Sequence, residues 1–281
     1  MKKSVLLLGA LPAAAAIYFF LPRTEAASRY LITGSSTVAP ILQQVAAVLE
    51  ERDPGLRIEV ETGGSGRGIK DAQGKLSDAG MSSRELSADE ARGIHPVPIA
   101  HDGIALIVHA SNPVTELTTE QVTGIYLGTI TDWSDLGGAP GKITVINKAE
   151  GRSTLEGFLA HFKLKASDVE ADVIVGDNAQ GVRLVAGDQR AIGYVSIGEA
   201  QRSAETGTPI KLVRYGGVQP SIATVADGSY PIRRTLFLLF PAEPDAIGQR
   251  ILDLLAADEG RGILEGLNFV PLGTRKAAAP Q

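Results

Sequence analysis

The feature that most constrains this chain is a junction between an apolar strand and a helical pattern, occupied by Gly-Ser-Ser-Thr at residues 34–37. An apolar strand is expected over Tyr30–Thr33, and apolar residues recur at helical spacing from Ile41 to Leu49. A helix start exposes unpaired backbone N–H groups and the positive end of the helix dipole. The glycine and the hydroxyls are therefore either ordinary capping residues or donors for an anion.

Two further junctions have the same character. "TGGSGRGI" at residues 62–69 and "AEGRSTLEGF" at residues 149–158 each follow a strand-like segment and enter a helical one. Capping explains any one such junction, but three in one chain favour an anion site. Two of them carry an arginine, Arg67 and Arg152, and a guanidinium inside such a loop can form charge-assisted bonds to an oxyanion. Ser82-Ser83-Arg84 forms a fourth hydroxyl cluster.

Strand-like and helix-like segments alternate along the rest of the chain, which predicts an α/β fold. Further strands are expected at residues 56–61, 104–108, 143–146, 191–195 and 235–240. Further helices are expected from a capping box at residues 118–121 through 126, at residues 153–162, and at residues 245–257. We interpret Trp133 as a buried loop anchor, and we expect Arg233 or Arg234 to face solvent or a lobe surface.

Composition excludes several classes of protein. The chain has 281 residues, 44% of them hydrophobic and 21% charged, which indicates a folded domain. The net charge is −5 and there is no run of Lys or Arg, so nucleic acid is not an expected partner. The absence of cysteine excludes disulfides and a lipid-modified N-terminal cysteine. The four histidines form no metal-binding pattern. We expect a monomer without metal or cofactor.

The first 26 residues are typical of an export signal. Lys2 and Lys3 precede the apolar stretch Val5–Leu21, and small residues follow near a cleavage point after Ala26. The alternative is an uncleaved anchor, although the stretch is barely long enough to cross a bilayer and Pro12 interrupts it. Either reading predicts an exported protein, and we expect it in the periplasm.

Enzymatic motifs are weak. Gly63-Gly64-Ser65-Gly66-Arg67 fails the Gly-x-Ser-x-Gly pattern at its last position, and no Gly-rich loop ends in Gly-Lys-Ser/Thr. A Ser-His-Asp arrangement has no sequence signature here. A periplasmic phosphatase that uses Ser36 or Ser65 as nucleophile stays open as an alternative, although no activating group stands out.

The chain resembles the phosphate-binding proteins of bacterial phosphate ABC transporters, from about Tyr30 to Leu267. The motifs that carry the resemblance are GSSTVAP, GGSGRGI, SSREL, DGIALIV, LTTEQVTGIYLGTITDWSDLGG, AIGYV and YPIRRTLFLLF. The resemblance implies an α/β two-lobed periplasmic-binding-protein fold, with mixed sheets flanked by helices and two crossing strands at the hinge. It places lobe 1 at residues 27–107 plus 233–281 and lobe 2 at residues 108–232. It also implies inorganic phosphate in the cleft and an inner-membrane ABC permease as partner.

Carried onto this chain, the resemblance implies a set of phosphate-binding residues on both lobes. They are Ser36, Thr37, Ser65, Ser83 and Arg84 on lobe 1, and Arg152, Ser153 and Thr154 on lobe 2. The family usually has Arg-x-x-x-Ser-Gly-Thr at the lobe 2 loop, where this chain has Lys148 and then Arg152-Ser153-Thr154. Long-chain members have an aspartate where Ser83 falls. We therefore add Asp102 as a candidate acceptor for a phosphate proton, with a turn residue as its alternative role.

Three alternatives to phosphate transport stay open at this point. The same fold could bind another oxyanion, such as sulfate or an organic phosphate. The protein could be the phosphatase described above, or it could use its lobes in signalling or adhesion.

Overall fold

The computed structural model describes residues 28–273, so the predicted signal segment lies outside the described residues. The strands are β1 (Ser28–Gly34), β2 (Leu56–Thr62), β3 (Ala79–Ser82), β4 (His95–His109), β5 (Glu116–Leu117), β6 (Thr144–Lys148), β7 (Val173–Val175), β8 (Ala191–Ser196), β9 (Ile210–Leu212), β10 (Arg214–Tyr215), β11 (Arg233–Phe240) and β12 (Val270–Pro271). The helices are α1 (Ala39–Arg52), α2 (Ser65–Gln73), α3 (Thr119–Tyr126), α4 (Ser153–Phe162), α5 (Asn178–Gly187), α6 (Ile197–Glu205), α7 (Ile222–Ala226), α8 (Ala246–Ala256) and α9 (Asp258–Gly266).

The main sheet is mixed and has the strand order β2-β1-β3-β11-β4-β8-β6-β7. At one end β1 pairs in parallel with β2 and β3, and at the other β6 pairs in parallel with β7 and β8. The antiparallel strands β11 and β4 connect these two parallel groups. The alternation of strands and helices predicted from the sequence is confirmed, and the fold is α/β.

The chain forms two lobes, and β4 crosses between them. Its first part pairs with β11 as far as Gly103, and its second part pairs with β8 from Ile104 onward. One hydrophobic core packs α1 and α8 against β1, β2 and β3. A second core surrounds α3, α4 and the second part of β4. The predicted two-lobed fold with crossing strands at the hinge is therefore confirmed, while the exact residues at which the lobes divide stay a prediction.

Local signals in the sequence set several helix starts. The hydroxyl of Thr118 accepts from the backbone N–H of Gln121, and the Gln121 side chain accepts from the N–H of Thr118, which completes the predicted capping box of α3. Asp245 caps α8 by accepting from the N–H of Gly248 at 2.7 Å. Trp133 is buried and its indole N–H donates to the carbonyl of Arg190 at 2.8 Å, as expected of a loop anchor.

None of the helices between residues 28 and 273 combines the length and the apolar character needed to cross a bilayer. Over the same residues, no group of three or more His, Cys, Asp or Glu side chains is placed to hold a metal ion.

Candidate functional site

A small cavity lies where loops of the two lobes meet. Each lobe contributes six residues: Ser35, Ser36, Thr37, Gly64, Ser65 and Ser83 from lobe 1, and Lys148, Arg152, Ser153, Thr154, Gly176 and Asn178 from lobe 2. Its volume is about 10 Å³, close to the room that one water molecule occupies. The loops of the two lobes are therefore in contact around this cavity, and the cleft is closed at this point.

The lobe 1 wall is built from the three junctions at the ends of β1, β2 and β3. Ser35 Oγ accepts from the backbone N–H of Thr37 at 3.2 Å and donates to Ser83 Oγ at 3.0 Å. The backbone N–H of Ser83 donates to Ser65 Oγ at 3.1 Å, and Ser65 is the first residue of α2. These bonds fix the hydroxyls of separate loops at one edge of the sheet, beside the starts of α1 and α2.

The lobe 2 wall combines two helix starts with two cations. Ser153 and Thr154 open α4, and Asn178 opens α5, directly after strands β6 and β7. Arg152 Nη1 and Ser153 Oγ are buried and have no hydrogen-bond partner among residues 28–273. Buried polar groups normally have a partner, so these two atoms mark the place where a bound oxyanion would supply one.

The Arg152 side chain lies between two glycines. A Cβ added to Gly64 would come within 2.9 Å of Arg152 Cδ, and one added to Gly176 would lie 3.1 Å from Nη2. Gly64 also has a φ of +93°, which is unfavourable for residues with a side chain. The absence of side chains at these two positions therefore gives the guanidinium its space beside the cavity.

Lys148, the last residue of β6, is a second cation of the site. It is 3% exposed, and its Nζ donates to the carbonyl of Asp177 at 2.7 Å. Burial, opposed by Asp177 and reinforced by the charges of Arg234 and Arg152, lowers the pKa of Lys148 to about 7. An anion in the cavity would favour the charged form of this amine.

Arg234 and Asp102 form a buried ion pair at the hinge, next to the cavity. Arg234 Nε and Nη2 both donate to Asp102 Oδ2, at 3.0 and 2.8 Å, and the two side chains are 6% and 1% exposed. The same guanidinium bonds to the hydroxyls of Thr37, Ser83 and Thr154. Arg234 therefore connects hydroxyls of both lobes to a strand that lies between them.

The structure brings together most of the residues predicted from the sequence. Those that line the cavity are Ser36, Thr37, Ser65, Ser83, Arg152, Ser153 and Thr154. Arg84 does not line it: its guanidinium bonds to both carboxylate oxygens of Glu90 and pairs with Glu156. Arg84 instead lines an adjoining cavity of about 600 Å³, which shares Ser83 and Ser153 with the small one. Asp102 does not line it either, because Oδ2 is paired with Arg234.

Several residues at the cavity were not among the predicted phosphate-binding residues. Ser35 and Gly64 lie in junctions that the sequence analysis singled out, Gly176, Asn178 and Arg234 were missed, and Lys148 was noted only as a departure from the family. Asn178 follows β7 in "GDN" and opens a helix, so a fourth strand-to-helix junction was present without the Ser or Thr that marked the other three. Of Arg233 and Arg234, the first is exposed and the second is part of the site.

Besides the Arg234–Thr154 bond, three direct contacts among the described residues hold the lobes together around the cavity. The backbone N–H of Gly66 donates to the carbonyl of Gly151, and the Asn178 amide donates to Thr37 Oγ1 at 3.1 Å. Arg84 pairs with Glu156 of α4. The cavity that they enclose offers hydroxyl donors, helix N-termini and two cationic side chains, which is the chemistry that binds a small tetrahedral oxyanion.

Comparisons with known proteins agree with this geometry. Residues 21–259 match the family model described as the PBP superfamily domain. The phosphate-binding protein PstS of Bacillus subtilis is 25% identical over 257 residues, which cover 90% of this chain and 83% of that protein. A phosphate ABC transporter substrate-binding protein from Clostridium perfringens, solved with bound phosphate, has a TM-score of 0.79 and 31% identity over 87% of this chain and 100% of that one.

A second solved structure, an ABC-type phosphate transport receptor from Vibrio cholerae, has a TM-score of 0.68 and 27% identity over 86% of this chain and 99% of that one. The family match extends over most of the chain and includes the residues that line the cavity. This protein therefore belongs to the PBP superfamily.

Proposed function

We propose that this protein captures inorganic phosphate between its two lobes and delivers it to an ABC permease of the inner membrane. The observation that supports the proposal most is the cavity itself, in which Arg152 Nη1 and Ser153 Oγ are buried without partners. Relatives named as phosphate-binding proteins, and the similar structure solved with bound phosphate, make phosphate the first candidate among oxyanions.

Affinity arises from many directed donors in a closed site that contains little water. Charge-assisted hydrogen bonds to an oxyanion are stronger than hydrogen bonds between neutral groups. Solvent screens them less in a buried site than in bulk water. Because both lobes contact the ion, binding favours the closed form of the cleft. The protein acts as a monomer in the periplasm, where the basic start and apolar stretch of the first 26 residues would direct it.

The proposal includes no chemical step. A serine phosphatase needs a base beside its nucleophile. Among the described residues, the histidine contacts go to Ser111, Tyr215 and Glu243, and none goes to Ser36 or Ser65. Hydrolysis of a chromogenic phosphate ester by the purified protein would favour the phosphatase alternative.

The direct test is calorimetric titration of the protein, freed of bound anion by unfolding and refolding, with phosphate, arsenate and sulfate. We expect phosphate to bind one site per chain and to raise the thermal midpoint. At a hundredfold excess over the dissociation constant, the stabilisation should be about 2.7 kcal/mol. No heat of binding and no thermal shift with millimolar phosphate would reject the proposal.

A further inference from the structure

Arg234 has no N–H group left for a ligand. A guanidinium has five N–H donors and no acceptor. Two of those of Arg234 donate to Asp102 Oδ2, and the other three donate to Ser83 Oγ at 3.3 Å, Thr154 Oγ1 at 3.0 Å and Thr37 Oγ1 at 3.1 Å. Arg234 can therefore affect a bound ion only through the three hydroxyls that it contacts.

These bonds determine which way the hydroxyls point. Each hydroxyl oxygen accepts from Arg234, so its own proton must point elsewhere. Thr37 Oγ1 also accepts from the amide of Asn178 at 3.1 Å, and Ser83 Oγ also accepts from the hydroxyl of Ser35 at 3.0 Å. With two incoming bonds, the lone pairs of these two oxygens are occupied and only O–H donation remains. Both residues line the cavity, so that donation is available to a ligand.

Asp102 holds Arg234 in this arrangement and does not contact the cavity. Among the described residues that line the cavity there is no Asp or Glu. A carboxylate that faces the ion would accept the proton of phosphate and repel fully ionised sulfate. Ser153 Oγ, buried and without a partner, is free to accept that proton, but a serine can equally donate to an unprotonated oxygen.

We infer that Arg234, positioned by Asp102, fixes the hydroxyls of Thr37 and Ser83 as proton donors to the bound oxyanion, so that the site accepts sulfate nearly as well as phosphate. The inference rests on the proposed function and adds the selectivity of the same site. Arg234 is in this sense a positioning residue for ligand specificity, located on the strand between the lobes.

The test compares phosphate and sulfate affinities, by calorimetric titration above neutral pH, in the wild-type protein and three variants. Arg234→Gln introduces a carbonyl oxygen to which a hydroxyl can donate, which frees that hydroxyl to turn away from the ion. Asp102→Asn combined with Arg234→Gln replaces the whole ion pair by a neutral pair, which is better tolerated than breaking a buried pair. Arg233→Gln is the matched control, because Arg233 is adjacent in sequence, exposed and outside the cavity.

In the wild-type protein, we expect the two dissociation constants to lie within about tenfold of each other, a difference of up to about 1.4 kcal/mol. Arg234→Gln and the double variant should lose affinity for sulfate more than for phosphate. The ratio should shift toward phosphate by about tenfold in both, and Arg233→Gln should leave it unchanged. A purely structural role of Arg234 would lower both affinities equally and would not move this ratio.

Three results would overturn the inference while leaving the proposed function intact. The first is an unchanged ratio in both Arg234 variants. The second is a shift in the single variant that disappears in the double variant, since the unpaired Asp102 carboxylate would then be its cause. The third is a wild-type preference for phosphate of more than about a hundredfold. Failure of the wild-type protein to bind phosphate, in contrast, would reject the proposed function itself.

Discussion

The backbone N–H of Gly66 donates to the carbonyl of Gly151 at 3.2 Å, and this bond joins the second loop of lobe 1 to the loop before α4 in lobe 2. The approach is close enough that a Cβ added to Gly64 would lie 2.5 Å from the Gly151 oxygen. The rim of the closed cleft is therefore a backbone-to-backbone contact that leaves no room for a side chain at this point.

Gly64→Ala should weaken phosphate binding by more than about tenfold, because the added methyl group would prevent the two loops from meeting, and tenfold corresponds to about 1.4 kcal/mol. The control is Gly137→Ala. Gly137 also has a positive φ, of +75°, but its ψ of 16° places it in the left-handed helical region, where alanine is less strained than at Gly64, whose φ and ψ are 93° and 160°. No heavy atom of the described residues lies within 4 Å of a Cβ added at Gly137. Calorimetric titration of both variants checks the difference, and equal affinities would show that the rim contact does not contribute to binding.

Arg152→Gln should reduce phosphate affinity by about ten- to a hundredfold, since a hydrogen bond to a charged group contributes about 1.5–3 kcal/mol. The buried Nη1 of Arg152 has no partner in the part of the chain that the structure describes, so it is available to the ion. Arg67→Gln is the comparison, because Arg67 is the arginine of another strand-to-helix junction, as the third residue of α2, but it pairs with Glu61 at 2.6 Å and Asp71 at 3.1 Å. We expect that variant to bind phosphate normally. Similar losses in both variants would remove Arg152 from the site.

Phosphate binding should be coupled to proton uptake by Lys148. The pKa of its amine is about 7, below the ordinary value of 10.5, so above pH 7 the amine is mainly neutral without a ligand. A bound anion favours the ammonium form, so affinity should fall as pH rises from 7 toward 10. Lys148→Arg stays charged and should abolish this part of the uptake. Calorimetric titrations at about pH 8, in buffers of different ionisation enthalpy, measure the number of protons taken up per phosphate bound. That number should be larger in the wild-type protein than in Lys148→Arg, by up to about one.

In the absence of phosphate, the same depressed pKa predicts a stability change of opposite sign. Between pH 7 and 10 the unfolded chain holds a proton on Lys148 that the folded protein lacks, so stability from this group rises with pH across that window. Below pH 7 the Lys148 amine is charged in the folded protein as well, and the full free-energy cost of burying that charge lowers the stability. Lys148→Met removes this buried amine, so it should raise the free energy of unfolding of the ligand-free protein more at pH 6 than at pH 9. Urea unfolding at the two pH values, with equal gains at both, would contradict the shift.

The Arg84–Glu156 pair should contribute to binding without contacting the ligand. Arg84 belongs to lobe 1 and Glu156 to α4 of lobe 2, so the pair forms only when the cleft is closed. Partly exposed ion pairs contribute about 0–1 kcal/mol, so Glu156→Gln should weaken phosphate binding by up to about fivefold. Glu90→Gln removes a partner of the same arginine within lobe 1 and should leave affinity unchanged. Equal effects of the two variants on affinity would indicate that the Arg84–Glu156 pair does not stabilise the closed cleft.

Where hydroxyls and glycines stand between a strand and a helix, the sequence predicts residues that the structure places around the cavity. Ser153 begins α4 as expected, and Ser36, Thr37 and Ser65 all line the cavity. These positions are predictable because parallel strands bring their carboxyl ends to one edge of the sheet, and helix starts bind anions through local backbone geometry. Asn178 occupies the same kind of position, but "GDN" contains none of the hydroxyls used to recognise the other junctions.

Arg234 shows what the sequence alone could not decide. Arg233 and Arg234 are adjacent on β11, and neighbouring residues on a strand point to opposite faces. Which of them faces the cleft depends on the register of β11 against β4, where Arg234 lies opposite Asp102. That register is set by pairing between segments more than a hundred residues apart. For the same reason Asp102, predicted as an acceptor for the ligand, is found with a partner that no local pattern indicated.

The crossing strand β4 runs without interruption from His95 to His109, although its partner changes from β11 at Gly103 to β8 at Ile104. No loop is available at this crossing to absorb a rotation of one lobe against the other. Opening must therefore be distributed as small φ and ψ changes along an extended strand whose natural deformation is twist. Ligand release therefore requires the sheet to twist along β4. Substitutions along the whole of β4, including those remote from the cavity, should change the rate at which phosphate leaves.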